Sequence, residues 1–255
     1  MGRGLLVTTL GAGLLLVGAC GWWGDARNTE VDDATVDARI TSVRIANEAG
    51  AVTIRAGDRA TVHRSIHYDR DRPGPTHQVE GDTLVIESCK PDNCWIDYEV
   101  TVPAGVRVNG AVDSGKVDVE GVAGVNLKVE SGAVTVRKVA GQVNLEVSSG
   151  RVNLTDIGDA VAVKSSSGSV TVDQARGAVT VHSDSGTVSV RLATVQNVVA
   201  QADSGSIDVT VPPGAYRVTA STDSGRVTNG VPNDPAAGHR IDLHTDSGSI
   251  TVKQG

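Results

Sequence analysis

Apolar and polar residues alternate along most of this chain, and the alternation restarts at a fixed interval. From Asp113 onward, valines on every second position follow a Ser-Gly pair: DSGKVDV, ESGAVTV, SSGRVNL, SSGSVTV and DSGTVSV, with glycines at 115, 132, 150, 168 and 186. The intervals are 17, 18, 18 and 18 residues, and looser copies follow at Gly205, Gly225 and Gly248. Half a period after each glycine comes a second alternating run: Val125/Leu127/Val129, then Val143/Leu145/Val147, then Val161/Val163. Strict alternation marks a strand with one apolar and one polar face, so each unit is predicted to hold two short strands. Glycine suits the bends because it tolerates positive φ, and the serine before it can hold the turn by local hydrogen bonding. A unit this short cannot bury its own apolar face, so copies must stack. The predicted fold is all-β, a β-helix or solenoid with coils of about 18 residues. An antiparallel β-meander or sandwich, with each Ser-Gly as a hairpin turn, is the alternative.

Residues 39–108 keep strand character without the tight repeat. RITSVRIANEAGAVTIRAG carries a degenerate first copy with Gly50 in the Ser-Gly role, and Tyr68, Trp95 and Tyr98 supply bulk that the repeats lack. This block is predicted to be an N-terminal β cap, since an open β-edge invites unwanted pairing. The Ser-Gly solenoid proper is predicted over 109–255. After Gly186 the units lengthen to 19, 20 and 23 residues, with the extra residues in VPPGAY (211–216) and NGVPNDPAAGHR (229–240). Proline favours loops there. Insertions at one point of successive coils emerge on one side, often a binding side. That reasoning singles out Tyr216, Asn233, Asp234, His239 and Arg240 as partner-contact candidates. The terminal ITVKQG is predicted to be an uncapped end, open to a partner strand.

The N-terminus carries an address. Residues 1–19 have one basic residue, then an apolar run ending in small residues, as a secretory signal peptide does. Val17-Gly18-Ala19-Cys20 resembles the lipobox of bacterial lipoproteins, which implies that Cys20 becomes the lipidated first residue of the mature chain. The plainer alternative is cleavage after Ala19, leaving a free thiol. Cysteine arithmetic favours the lipid, because Cys89 and Cys94 can pair with each other and leave Cys20 over. Residues 20–38 read as an acidic tether, with Trp22 and Trp23 at headgroup level. The predicted location is the extracytoplasmic face of a bacterial cell membrane. In an exported chain Cys89 and Cys94 are predicted to form a local disulfide around Pro-Asp-Asn, in preference to a metal site with His63 and His67.

Composition narrows the function classes. The chain has no Phe, 2% aromatics and 30 glycines, which suits a thin valine-stacked solenoid. A net charge of −7 with no basic cluster speaks against nucleic-acid binding. Serine recurs in every repeat, so it reads as a turn residue and not a nucleophile, and G-x-S-x-G is absent. The histidines show no H-E-x-x-H or similar ligand spacing. Polysaccharide-active enzymes need a groove with aromatic platforms and clustered carboxylates, which the repeats do not offer. No catalytic residue and no cofactor is therefore expected. Two residues before the repeat glycines runs the column Glu48, Asp113, Glu130, Ser148, Ser166, Asp184, Asp203, Asp223, Asp246. Its aspartates, about 5 Å apart, would repel unless solvated or bridged. Calcium is the natural bridge, so Asp184, Asp203, Asp223 and Asp246 are weak calcium candidates, weak because the calcium β-roll repeat is absent and exposed Asp is common at turns.

The order of lipoprotein signal, IANEAGAVTI, TLVIES, VTVPAGV and serial SGxVxV copies resembles a bacterial family of β-strand-repeat domains of unknown function, also called the adhesin-like β-helix family. The likeness covers about residues 40–254. It implies a non-catalytic, adhesin-like or structural module of the cell envelope, in contact with wall polymer or an envelope protein. A protein-binding regulatory or sensor subunit in envelope stress is the alternative, and a polysaccharide-active enzyme a distant third.

Overall fold

The computed structural model describes residues 28–90 and 93–255. The signal peptide, Cys20, Trp22 and Trp23 lie outside the described residues, as do Pro91 and Asp92 of the turn between the paired cysteines. Among the described residues there are fifteen strands and no helix. The first seven are β1 (Asn28–Val36), β2 (Ser42–Asn47), β3 (Ala51–Gly57), β4 (Ala60–Tyr68), β5 (His77–Glu80), β6 (Thr83–Glu87) and β7 (Cys94–Pro103). Eight longer strands follow: β8 (Arg107–Glu120), β9 (Gly124–Val139), β10 (Val143–Ile157), β11 (Val161–Ala175), β12 (Val179–Leu192), β13 (Val198–Val211), β14 (Tyr216–Asn229) and β15 (His239–Gln254).

Each long strand is one repeat bent at its glycine, and each lies parallel and in register with the next. Gly115, Gly132, Gly150, Gly168, Gly186 and Gly205 are paired one to one along β8 to β13. The solenoid is therefore the fold, and the parallel pairing of every repeat excludes the meander. The two strands predicted per unit run together because the bends stack as closely as the arms. Inward residues of both arms, among them Val134, Val152 and Leu154, are fully buried. Each such side chain contributes roughly 1.5–3 kcal/mol relative to exposure.

The bend admits no residue but glycine. Gly150 has φ +138°, and a Cβ placed on it would lie 1.7 Å from the Gly132 carbonyl oxygen. Gly132 stands in the same relation to Gly115 at 1.8 Å, and Gly115 to Gly50 at 2.0 Å. Repeats can thus sit at strand spacing only if every bend lacks a side chain.

The stack extends further toward the N-terminus than the sequence suggested. β2 and β3 form a rung divided at Gly50, pairing with the two arms of β8. β6 and β7 form the next rung, paired with β2 and β3, and the Cys89–Cys94 disulfide closes its bend. The cap is consequently narrower than residues 39–108: it consists of β4 and β5, antiparallel on β7 and β6, with β1 antiparallel on β4. β1 also corrects the tether expected over 20–38, because residues 28–36 are an edge strand. Its acidic residues answer basic ones on the cap. Asp32 pairs with Arg64, Glu30 with Arg72 at 2.7 Å, and Asp33 with His63 at 2.7 Å. Tyr98 fills the core beneath the cap, its hydroxyl 2.6 Å from both the Glu87 carbonyl oxygen and the Thr76 hydroxyl. Burial pushes the Tyr98 pKa up to about 12.

At the other end the chain leaves sequence order. The rungs run β13, β15, β14, with β15 parallel to both neighbours. The predicted open end at ITVKQG is therefore interior, and β14 is the edge. Composition explains the exchange. Inward positions of β15 are Ile241, Leu243, Thr245, Ile250 and Val252, all buried. Their partners on β14 are Val218, Ala220, Thr222, Val227 and Asn229, each smaller or more polar except Thr222, which matches Thr245. The terminal rung exposes its outer side, so the least apolar repeat belongs there. Four residues between β13 and β14 reach about 13 Å when extended, enough to pass over one rung of about 4.8 Å and pair beyond it.

Two outcomes follow. Gly150→Ala should lower stability by about 2–5 kcal/mol through strain and overpacking. Gly238→Ala, at a position with nothing within 4 Å of an added Cβ, should leave the thermal midpoint unchanged. Comparable midpoints for the two variants would contradict the ladder. Secondly, Tyr98 should remain un-ionised in an alkaline absorbance titration until pH approaches 12. Its raised folded pKa contributes stability that is complete below about pH 10 and lost as pH climbs through 12, about 3 kcal/mol in all. Tyr98→Phe should remove that alkaline loss from the denaturation curves.

Candidate functional site

Outward residues of stacked parallel repeats form columns, so one position in the repeat becomes a stripe along the rod. On the first arm Asn109, Asn126 and Asn144 stack, followed by Ala162 and Thr180. Beside them run Lys128, Glu146, Lys164, His182 and Gln201, with Lys128 and Glu146 3.7 Å apart. All of these are exposed except Asn109, which is half-buried. A groove of about 540 Å³ crosses the face, lined by Gly110, Asn126, Lys128, Asn144, Glu146 and Ala162 among others. Another recess, about 620 Å³, lies at the N-terminal rim between residues 35–41, 58–60 and 103–105.

The second arm presents shorter polar groups, Thr135, Asn153, Thr171 and Ser189, all half-buried. At its far bend, Glu120 lies 2.8 Å from Lys138 and 3.1 Å from Arg137. Hydrogen bonds from Lys138 and then Arg137 hold the Glu120 carboxyl below its usual range. Lys138, Asp156 and Gln174 occupy left-handed conformations at successive bends, and Arg176 pairs with Asp156. These ion pairs fasten neighbouring rungs to each other.

The partner-contact candidates separate once placed. Tyr216 is fully buried and its hydroxyl donates to the Pro212 carbonyl oxygen at 3.1 Å, so it is a core residue and not a contact. Asn233 Oδ1 accepts from the Val218 amide at 2.9 Å, and the Asp234 amide donates to the Tyr216 carbonyl oxygen at 2.8 Å. Residues 230–238 thus cover the first part of the open β14 edge, as a loop protecting backbone groups does. Asp234 Oδ1 also accepts from the Ala236 amide at 2.9 Å, which makes it a turn former. His239 is half-buried at the start of β15, in register with Tyr216, while Arg240 is exposed.

His63 and His67 do share a strand face, but each has a carboxylate partner: Asp33 for His63, and Asp97 at 3.3 Å for His67. His67 also stacks on Trp95 with ring centroids 4.7 Å apart. The thiols that would have completed a metal set are joined to each other. The aspartate column exists, in the order Asp184, Asp203, Asp246, Asp223, because β15 is inserted. Among the described residues, the group of three potential ligands whose atoms lie within 4.8 Å of one another is Asp223, Asp246 and His244. His244 was not singled out by the sequence, since it stands two residues upstream of the column on its own strand. The signal was the repeated H-x-D-S-G of His182 and His244.

A family model described as Toastrack DUF4097 matches residues 40–253. No curated protein matches the chain. A crystal structure of a candidate adhesin from Bacteroides fragilis aligns at 14% identity over 91% of this chain and 99% of its own, with a TM-score of 0.47. Candidate adhesins of Parabacteroides distasonis and Parabacteroides merdae align at 14% and 13% identity. They cover 91% and 88% of this chain, and 98% and 96% of their own, with TM-scores of 0.36 and 0.37. With the family model spanning nearly all of the solenoid and its cap, the chain belongs to the Toastrack DUF4097 family.

Proposed function

We propose that the protein is a lipid-anchored module on the extracytoplasmic face of a bacterial membrane. In this reading Cys20 holds it there, and the first-arm face makes non-catalytic, adhesin-like contact with wall polymer or an envelope protein. The observation that carries the contact reading is the columnar face of Asn126, Asn144, Lys128, Glu146 and Lys164. Its groups recur at each rung, about 4.8 Å apart, and point outward in parallel. Catalysis requires groups converging on one reacting atom, whereas this face spreads its groups along a line. Contacts of that kind are weak singly and add up over an extended partner. The lipobox-like Val17-Gly18-Ala19-Cys20 supports the anchor. The strand order supports the orientation: β1, nearest the N-terminus, lies at one end of the stack and β14 at the other. An N-terminal anchor would leave the β14 end farthest from the membrane.

Cell fractionation and in-cell cross-linking test the two halves separately. Cys20→Ala should move the protein from the membrane to the soluble extracytoplasmic fraction, and its persistence on the membrane would remove the anchor from the proposal. The double variant Asn126→Ala/Asn144→Ala, which adds no stacked charge, should retain the fold and yield several-fold less cross-linked envelope material. Equal yields from both proteins would show that this face is not the contact.

A further inference from the structure

The distal rim of the stack holds a constellation that the adhesin-like reading does not use. Asp223 is on the edge strand β14, and His244 and Asp246 are on β15 beside it. Parallel register sets Thr222 against Thr245 and Ser224 against Ser247, so Asp223 stands opposite Asp246. Stacking therefore brings two like charges together, and among the described residues no lysine or arginine forms an ion pair with either. Asp246 Oδ1 lies 3.0 Å from His244 Nε2.

A separate observation concerns the other ring nitrogen. His244 Nδ1 is 3.0 Å from Ser221 Oγ on the adjacent strand, outside the ligand group. The ring either donates from Nδ1–H to that hydroxyl, which leaves the Nε2 lone pair facing the carboxylates, or accepts from Ser221 Oγ–H and donates from Nε2–H to Asp246. Metal-ligating histidines are commonly held in the first way by a partner on their second nitrogen. The first tautomer is the one that can bind a metal, because a cation placed between the Nε2 lone pair and the carboxylate oxygens removes their mutual repulsion.

The chain contains its own contrast. His182 and Asp184 on β12 repeat the spacing of His244 and Asp246, yet their nearest atoms are 3.8 Å apart. Gln201 faces both histidines, but the other neighbour of His182 is Lys164 where that of His244 is Ser221. His182, Asp184 and the neighbouring Asp203 offer the same residue types, but among the described residues three ligand atoms within 4.8 Å of one another occur at Asp223, His244 and Asp246.

We infer that Asp223, His244 and Asp246 form a binding site for a divalent transition-metal ion of the zinc class. One imidazole and two carboxylates match the nitrogen and oxygen donors that Zn²⁺ takes, with a fourth position left for water or a partner's group. Calcium and magnesium prefer all-oxygen sets, so the imidazole shifts the assignment away from the calcium suggested by the aspartates alone. A tetrahedral site needs ligand atoms about 3.3 Å apart at zinc bond lengths, within reach of the present spacing by rotation of the two exposed aspartates. The ion would join β14 to β15, fastening the most exposed rung to the stack and neutralising the paired carboxylates.

Titration calorimetry with ZnCl₂ on the tag-free, full-length protein tests this, with CaCl₂ and MgCl₂ as comparators. The expected result is saturable binding of one Zn²⁺ and a zinc-dependent rise in thermal midpoint. Asp223→Asn and His244→Gln should abolish both effects, Ser221→Ala should weaken binding about tenfold, and His182→Gln should change nothing. Thermal melts of each variant without metal establish that the fold is retained. The inference is overturned by absence of saturable zinc binding, by binding that survives Asp223→Asn and His244→Gln, or by calcium binding of equal strength that ignores His244→Gln.

Discussion

The contact between one repeat's glycine and the carbonyl of the repeat below it governs this molecule. Successive rungs can lie at strand spacing only if the chain bends without a side chain, because a Cβ at Gly186 or Gly205 would sit 1.7 Å from the oxygen beneath. Everything else follows from that closeness. In-register pairing aligns the valines into a dry core, aligns the polar residues into exposed columns, and places chemically similar groups one above another. The ladder continues through Gly248 to Gly225 in the exchanged order of the last rungs, and begins at Gly50 in a stretch whose repeat is degenerate. Gly50 itself meets the Ile96 carbonyl, where the rung closed by the disulfide replaces the Ser-Gly bend.

A stack built by translation has two unlike ends, and the protein treats them differently. At the first end the direction of pairing reverses, with antiparallel β4 and β5 covering the last parallel rung and the acidic β1 outside them. Ion pairs such as Arg64 with Asp32 hold this edge, and a charged edge strand is a poor template for another chain. At the second end no reversal occurs. Protection comes from placing the least apolar repeat outermost, and from the 230–238 loop, which satisfies the Val218 amide and Tyr216 carbonyl. The remainder of β14, including the partly exposed Val227, is left accessible.

The same stacking accounts for the kind of chemistry the surface offers. Columns of like residues favour repeated contact with something extended, which is the basis of the adhesin-like reading. Where two acidic repeats meet at the distal rim, columns produce repulsion that a cation relieves, and there a histidine turns an acidic stripe into a ligand set. Surface contact and ion binding are thus two consequences of one geometry acting on different side chains.

The sequence by itself determined the period, the bend positions and the identity of the inward residues, because alternating valines restart after each Ser-Gly, whereas the choice of solenoid over meander was decided by the parallel pairing of the repeats. It also located Cys89 and Cys94 as a pair. It did not determine which repeat lies beside which at the ends. Near-identical repeats pair almost equally well with one another, so the order of β13, β15 and β14 depends on small differences in inward side chains such as Asn229 against Val252, and on loop reach. For the same reason the role of residues 28–36 was hidden, since an acidic run becomes a strand only when Arg64, Arg72 and His63 are brought opposite it. Tyr216 looked like a contact because it adjoined an insertion, and the core claimed it. The meeting of Asp223 with His244 and Asp246 was likewise decided by tertiary structure, because ligand sets depend on distances across strands that no spacing along the chain records.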